Sequence, residues 1–337
     1  MKKSKQDIIV ILSMVLMLGI VGCTPVDKEK SSSVIEKSTN KDSHYPITIK
    51  TYNYKKEPVQ LTFNKSPEKV VAIYQNSIET MLALGLEDKI ISVSGLDHDV
   101  KDEYKEAFSK VKYVEDFTPS KESIIMEQPD FILGWYSLFD EKILGDIDYW
   151  NKNNINTYMS LNSGVKDERT IENEINDILN LGKIFNVEEK AQALVDEINN
   201  KLDKVSKSVE GKSNETTLIV EFTDDQMNTY GSKQLAGDMV NRLGVELLNP
   251  EGKDINAEDL IKLNPDSIFV VYMDRLDENV PKQEINKILE NKALASLDAV
   301  KNKRVYAIPL GEMYSSGIRT IDGINTFSKG LYPDLKN

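Results

Sequence analysis

The sequence predicts an α/β protein of two similar lobes with mainly parallel sheets, joined by a long backbone helix. Three observations predict it. Short apolar runs alternate with helical segments in two separate blocks, an arrangement that builds parallel sheets covered by helices. A stretch with no strand signal, residues 169–209, lies between the blocks. One helix–Pro-Asp–strand unit occurs in each block. A chain of 337 residues is long enough for one large or two ordinary domains with a real core.

The chain begins with Lys2, Lys3 and Lys5, followed by an apolar run at 8–20 broken only by Ser13 and Gly19. Such a run is too short for a bilayer core of about 30 Å and has the length of a signal-peptide core. It ends Ile20-Val21-Gly22-Cys23, which resembles the bacterial lipobox, where the chain is cut before Cys and the thiol receives diacylglycerol. A secreted protein with a chance cysteine is the plainer alternative. Residues 1–22 thus read as a signal peptide and 23–44 as a lipid-anchored tether, rich in Lys, Glu, Ser, Thr and Asn and unable to bury surface. Losing residues 1–22 removes three lysines and one aspartate, shifting the net charge from -13 to -15.

The first lobe, 45–168, opens with a hairpin: Ile47/Ile49 and Val59/Leu61/Phe63 alternate about a turn at 55–58. Strands follow at 70–73, 89–93, 131–133 and 157–160, with helices at 77–84, 120–127 and 140–153. Connecting helices occupy 169–212. Ile171, Ile175, Ile178 and Leu179 stripe the first, which Gly182 closes. Asn186 caps a second at 187–209, striped by Ala191, Leu194, Val195, Ile198, Leu202 and Val205 and about 34 Å long. It could brace two lobes; a coiled-coil dimer is the competing reading. In the second lobe, 213–337, strands fall at 217–222, 267–271 and 304–308, and helices at 234–243, 257–263, 282–289 and 321–329.

The repeated unit runs Ser120-Lys121-Glu122-Ser123-Ile124-Ile125-Met126-Glu127-Gln128-Pro129-Asp130 in the first lobe. Its counterpart is Asn256-Ala257-Glu258-Asp259-Leu260-Ile261-Lys262-Leu263-Asn264-Pro265-Asp266. Each has Glu in the first helical turn, two apolar residues, and Pro-Asp leading into a strand.

Composition excludes several functions. Asp and Glu outnumber Lys and Arg by 55 to 42, which argues against a nucleic-acid backbone as partner. One cysteine excludes a disulfide framework, and His44 and His98 are too few for a three-histidine metal cage. No direct metal site and no cofactor are therefore expected.

In order and spacing, the lipobox, the hairpin, Pro67-Glu68-Lys69-Val70-Val71, Glu79-Thr80-Met81-Leu82-Ala83-Leu84-Gly85, the two Glu…Pro-Asp units, the long helix and Lys303-Arg304-Val305-Tyr306-Ala307-Ile308 resemble one family. It is the substrate-binding lipoproteins of ABC importers for ferric siderophores, haem and cobalamin. The resemblance spans roughly Ile47 to Tyr332 and implies a ligand cleft between the lobes. It implies a monomer on the extracytoplasmic face of the membrane, held through Cys23, that hands its ligand to a permease dimer with ATPase subunits. It also gives Glu122 and Glu258 a role, docking into a basic pocket on each permease subunit. The plainer reading is that each acid merely suits its helix dipole, worth about 0.3–1 kcal/mol.

In parallel α/β sheets ligands lie beyond the carboxyl ends of the strands. Those tips carry Tyr74, Gln75, Asn76, His98, Trp135 and Tyr136 in the first lobe. In the second they carry Tyr230, Tyr272, Arg275, Met313, Tyr314 and Arg319. Recurrent aromatics suit a large, partly apolar ligand with a few polar anchors. Arg319, placed in a Gly-rich turn, could make bidentate contacts to an iron chelate, or instead pair with Asp322 or Glu312. Arg275 is followed by Asp277 and Glu278. Two candidate cations are few for a tri-anionic catecholate, so a ferric hydroxamate is the expected ligand. His98 with Met313 could serve as a haem axial pair, against a plain loop histidine; cobalamin stays open.

An enzyme is the rival class. The chain has no dinucleotide or phosphate-binding glycine loop and no Gly-x-Ser-x-Gly elbow. A lipid-anchored glycosidase working through two carboxylates is the alternative that composition leaves standing. A binding protein, not an enzyme, is the expectation.

Overall fold

The computed structural model describes residues 44–209, 215–223, 226–273 and 279–334. Cys23 and Arg275 lie outside the described residues. The chain enters through an antiparallel hairpin, β1 (Ile47–Tyr52) and β2 (Pro58–Phe63), which pairs Ile49 with Leu61 and Ile47 with Phe63. Its inward residues Ile49, Leu61 and Phe63 are buried, as period-two alternation requires.

The first sheet contains β3 (Val70–Ile73), β4 (Ile90–Ser94), β5 (Phe131–Gly134) and β6 (Asn156–Met159), in the order β4-β3-β5-β6. All its pairings are parallel. Every residue of β3 and β5 is buried, the signature of strands covered on both faces. Between the strands come α1 (Gln75–Ala83), α2 (Lys105–Phe108), α3 (Lys121–Glu127) and α4 (Ile147–Lys152).

Two long helices follow, α5 (Ile171–Phe185) and α6 (Glu188–Val209). The second sheet is built from β7 (Thr216–Thr223), β8 (Gln226–Thr229), β9 (Glu246–Leu247), β10 (Ser267–Tyr272) and β11 (Val305–Pro309). Its order is β11-β10-β7-β8 with β9 on β7, and only β8 runs antiparallel. Its helices are α7 (Leu235–Arg242), α8 (Ala257–Leu263), α9 (Val280–Leu289), α10 (Asp298–Lys301), α11 (Leu310–Met313) and α12 (Thr320–Leu331).

Several expectations change. The helix expected over 140–153 begins only at Ile147, because Asp146 is its N-cap and Gly145 before it takes φ +76°. Gly182 does not close α5: the helix continues to Phe185 and ends on Asn186, which has φ 56°. A Cβ on Gly182 would stand 2.5 Å from the Ala191 Cβ, so glycine is there to let α6 approach. Asn186 is accordingly a C-cap rather than the cap of the following helix. The buried stripe of α6, namely Ala191, Val195, Ile198, Val205 and Val209, packs within this chain against α5 and α12, which removes the seam a coiled-coil dimer would need. The Gly-rich turn expected at 311–323 is instead α11, a 3-10 turn at Gly317–Arg319 and the start of α12.

One hydrophobic core runs from Val70, Phe131 and Tyr158 of the first lobe through Ile178, Val195 and Ile198 to Ile219, Phe269 and Ile308 of the second. Each lobe keeps a smaller cluster on the other face of its sheet. No helix among the described residues is long and apolar enough to cross a membrane.

Candidate ligand cleft

The carboxyl ends of the two sheets meet. Trp135, just past β5, lies 5.3 Å from Tyr314, just past α11, between ring centroids. His98, beyond β4, meets Tyr272 at the end of β10 edge to face at 5.8 Å. Ring contacts continue inward from Trp135 to Tyr74 at 4.6 Å and from Tyr74 to Phe117 at 5.4 Å. The result is one aromatic strip, Tyr314–Trp135–Tyr74–Phe117. Phe117 also lines a cavity of about 570 Å³ with Leu96, His98, Asp99, Phe108, Tyr113 and Glu115.

Buried polar groups fix the strip in place. Tyr74 takes φ 73°, a left-handed turn that sends the chain sharply from β3 into α1. Trp135 Nε1 donates to Asn76 Oδ1 at 2.7 Å, and Asn76 Nδ2 donates to Ser160 Oγ at 2.9 Å and Ser315 Oγ at 3.3 Å. Asn76 therefore joins two first-lobe loops to one from the second. Gln75 Oε1 accepts from the backbone N–H of Asp97 and His98 at 3.1 Å each.

Arg319 does not face the cleft. It is buried, and its guanidinium grips Glu79 of α1, with Nη2 donating to Glu79 Oε1 and to the Asp99 carbonyl, both at 2.7 Å. Its carboxylate is thus neither Asp322 nor Glu312. Glu79 is fully buried and also accepts from Lys101 N at 2.9 Å. Beside this pair, the buried Glu174 of α5 accepts from Gly317 N at 2.7 Å and Ser316 N at 3.1 Å. Burial holds its carboxyl above the ordinary value, while bonds from Asn162, Gly317 and Ser316 pull the other way. Burial and the Glu174 charge push Asp177 well above its usual range. Glu79 and Glu174 thus pin segment 316–319 onto α1 of the first lobe and onto α5.

The other expected site residues divide by exposure. Trp135, Tyr136, Tyr272 and Tyr314 are half-buried and open to a ligand. Gln75, Met313 and Tyr230 are interior: Met313 has no exposed surface, and Tyr230 donates to Glu221 Oε2 at 2.6 Å. Burial and that carboxylate hold the Tyr230 hydroxyl well above its ordinary value. His98 Nε2 accepts from Gly311 N at 3.3 Å. With that nitrogen engaged and Met313 enclosed, the two do not form an open axial pair for haem.

Arg169 was not expected here and lies at the cleft. Its guanidinium carbon sits 4.5 Å from the Tyr314 ring centroid. The other described arginines are ion-paired: Arg242 with Asp238 and Glu172, Arg304 with Glu215, Arg319 with Glu79. Arg169 has no carboxylate partner among the described residues, so its charge stays available. Nearby, Lys166 Nζ donates to the Tyr52 hydroxyl at 2.7 Å, and Tyr54 stacks on Tyr136 at 4.6 Å. Lys56, over Tyr136, is paired with Asp167 at 3.6 Å. No motif marks Arg169; only its scarcity as one of five arginines in a lysine-rich chain could have drawn attention to it. Among the described residues, no group of three His, Cys, Asp or Glu side chains converges as a metal site.

The docking candidates Glu122 and Glu258 are both exposed, in the first turns of α3 and α8.

Comparison with known proteins agrees with this architecture. A solved periplasmic binding protein from Veillonella parvula superimposes with a TM-score of 0.79 at 33% identity, covering 86% of this chain and 92% of that one. The ABC transporter substrate-binding lipoprotein YvrC of Bacillus subtilis is 25% identical over 94% of this chain and 93% of its own length. The petrobactin-binding protein YclQ of Bacillus subtilis is 26% identical over 75% of this chain and 78% of its own. Such relatives are substrate-binding transport proteins, not enzymes. Residues 70–310 match the family model described as periplasmic binding protein, and the chain belongs to that family.

Proposed function

We propose that this chain captures an iron(III)–siderophore outside the membrane and delivers it to an ABC permease. The observation that carries the reading is the aromatic strip ending at Tyr314 with Arg169 upon it, which has no ion-pair partner among the described residues. An apolar wall with one free guanidinium suits a large chelate that presents anionic oxygens. The petrobactin-binding relative supports a siderophore as the ligand class. Arg169 takes the place of Arg319 as the cleft cation among the described residues. One such cation is few for a tri-anionic catecholate, so the hydroxamate type stays the proposed ligand. Haem and cobalamin are the competing ligands, and the closed His98–Met313 arrangement argues against the first. Cys23 is proposed as the lipid anchor and 23–44 as the tether, with lobes at 45–168 and 213–337, the connecting helices 169–212, and Glu122 and Glu258 as the permease contacts. The protein itself needs no cofactor.

A thermal-shift panel of ferric hydroxamates, ferric catecholates, haem, cobalamin and iron-free siderophores tests the ligand class. A ligand at a hundredfold excess over its Kd adds about 2.7 kcal/mol of stability. Arg169→Ala should weaken ferric-siderophore binding about tenfold or more, as loss of a charge-assisted bond worth about 1.5–3 kcal/mol implies, and leave the unliganded midpoint unchanged. Stabilisation by haem or cobalamin alone would reject the reading.

A further inference from the structure

Two short helices present the same pair of side chains to solvent. In α3 these are Glu122 and Ile125; in α8 they are Glu258 and Ile261, at equivalent places in the internal repeat. Ile125 is 42% exposed and Ile261 38%, and they are the exposed isoleucines among the described residues. Met126, beside Ile125, is 77% exposed. Residues three apart on a helix share a face, with Cβ atoms about 5–6 Å apart. Each acid therefore has an aliphatic neighbour on its own face.

The two frames match in detail. Ser120 and Asn256 are N-caps that accept from Ser123 N and Asp259 N. Gln128 and Asn264 end the helices in left-handed conformation, with φ 52° and 42°. The following aspartates tie each unit to a neighbouring strand: Asp130 accepts from Glu68 N and Lys69 N, and Asp266 accepts from Thr216 N at 2.9 Å. The other acids are neutralised, Glu127 by Lys112 and Asp259 by its capping box and Lys262. Glu122 and Glu258 have no ion-pair partner among the described residues. Each helix runs back along the strand that follows it, so its first turn lies at the carboxyl, cleft-facing end of its sheet.

Resting on the permease-docking reading above, we infer that Glu122 with Ile125 and Glu258 with Ile261 form two equivalent acid-plus-aliphatic contacts. Each is received by one of two identical permease subunits, through a basic side chain flanked by apolar surface. A surface presented twice by one chain fits a partner that offers the same receptor twice. Charge then sets orientation and encounter rate, while the desolvated isoleucine slows release.

Photoreactive benzoylphenylalanine, placed singly at position 122, 125, 258 or 261 of the full chain in intact cells, tests this. All four positions should cross-link to the same ABC permease subunit, identified by mass spectrometry. Ile125→Ser/Ile261→Ser should cut the yield from position 122 at least tenfold, with the melting midpoint unchanged. Cross-links from 122 and 258 but not from 125 and 261, or an unchanged yield in the serine variant, overturn the inference and leave acid docking standing. Cross-links to lipid alone, or to no permease subunit from any position, overturn both.

Discussion

The single most consequential side chain that sequence reading misplaced is Arg319. Its partner Glu79 lies 240 residues away, so no local pattern could announce the pair. Once both charges are buried, removing one leaves the other uncompensated, at a cost of about 3–5 kcal/mol. Glu79→Ala and Arg319→Ala should each destabilise the chain by about that amount, and the double variant should cost far less than their sum. A double-mutant cycle by denaturant unfolding reads the coupling, and strict additivity would place the pair outside the interior network. Glu312 gives a pH signature. Burial pushes its carboxyl up to about 6 from an ordinary 4.5, against the Thr326 hydrogen bond that pulls it down. The folded state thus holds this proton where the unfolded chain has released it. Its contribution is complete below about pH 4.5 and is lost as pH rises through 6, by at most about 2 kcal/mol. Glu312→Gln should therefore be about 1–2 kcal/mol more stable than the parent at pH 8 and close to it at pH 5; identical pH slopes would contradict the burial effect. Arg169 escaped notice for a related reason: its role comes from Tyr314, which the chain order keeps 145 positions distant.

Elements were far more legible than partners. Val70–Ile73 and Ala257–Leu263 coincide with their expected bounds, because β-branched runs between turn residues and a capped, striped helix are local signals. Where reading failed, packing had overruled a local signal. Gly182 looks like a helix end, yet it sits inside α5 where α6 crosses it. The edge strands β8 and β9 were missed; Gln226-Met227-Asn228-Thr229 has little β character, and its partner β7 supplies the pairing. The crossing of α5 and α6 makes its own prediction. Gly182→Ala should destabilise by about 1–3 kcal/mol through overpacking against Ala191. Adding Ala191→Gly should recover much of it, beyond the roughly 1 kcal/mol a helical glycine itself costs. Thermal unfolding of the three variants decides between crowding and helix propensity, since propensity alone would make Gly182→Ala stabilising.

At the scale of the whole molecule, function follows from two sheets whose carboxyl ends meet while one core runs beneath both. The buried links from Asn76, Glu79 and Glu174 to segment 315–319 hold the lobes in register at the cleft floor. A ligand therefore meets a preformed aromatic wall, which limits the ordering cost of binding. The two parallel sheets and the positions of their strand ends could be read from alternation and the internal repeat, since such sheets set their sites beyond those ends. Which tips stay open could not, since exposure depends on loops from both halves. The chain's two tryptophans allow a direct measurement. Trp150 is fully buried and donates to the Leu144 carbonyl, whereas Trp135 lines the cleft. Tryptophan emission should be titrated with ferric siderophores in the parent and in Trp135→Phe. Saturable quenching in the parent, confined to iron-loaded siderophores and lost in Trp135→Phe, is the expected result. Emission that stays constant across the whole panel, in a chain whose melting midpoint also does not move, would contradict a siderophore cleft at Trp135.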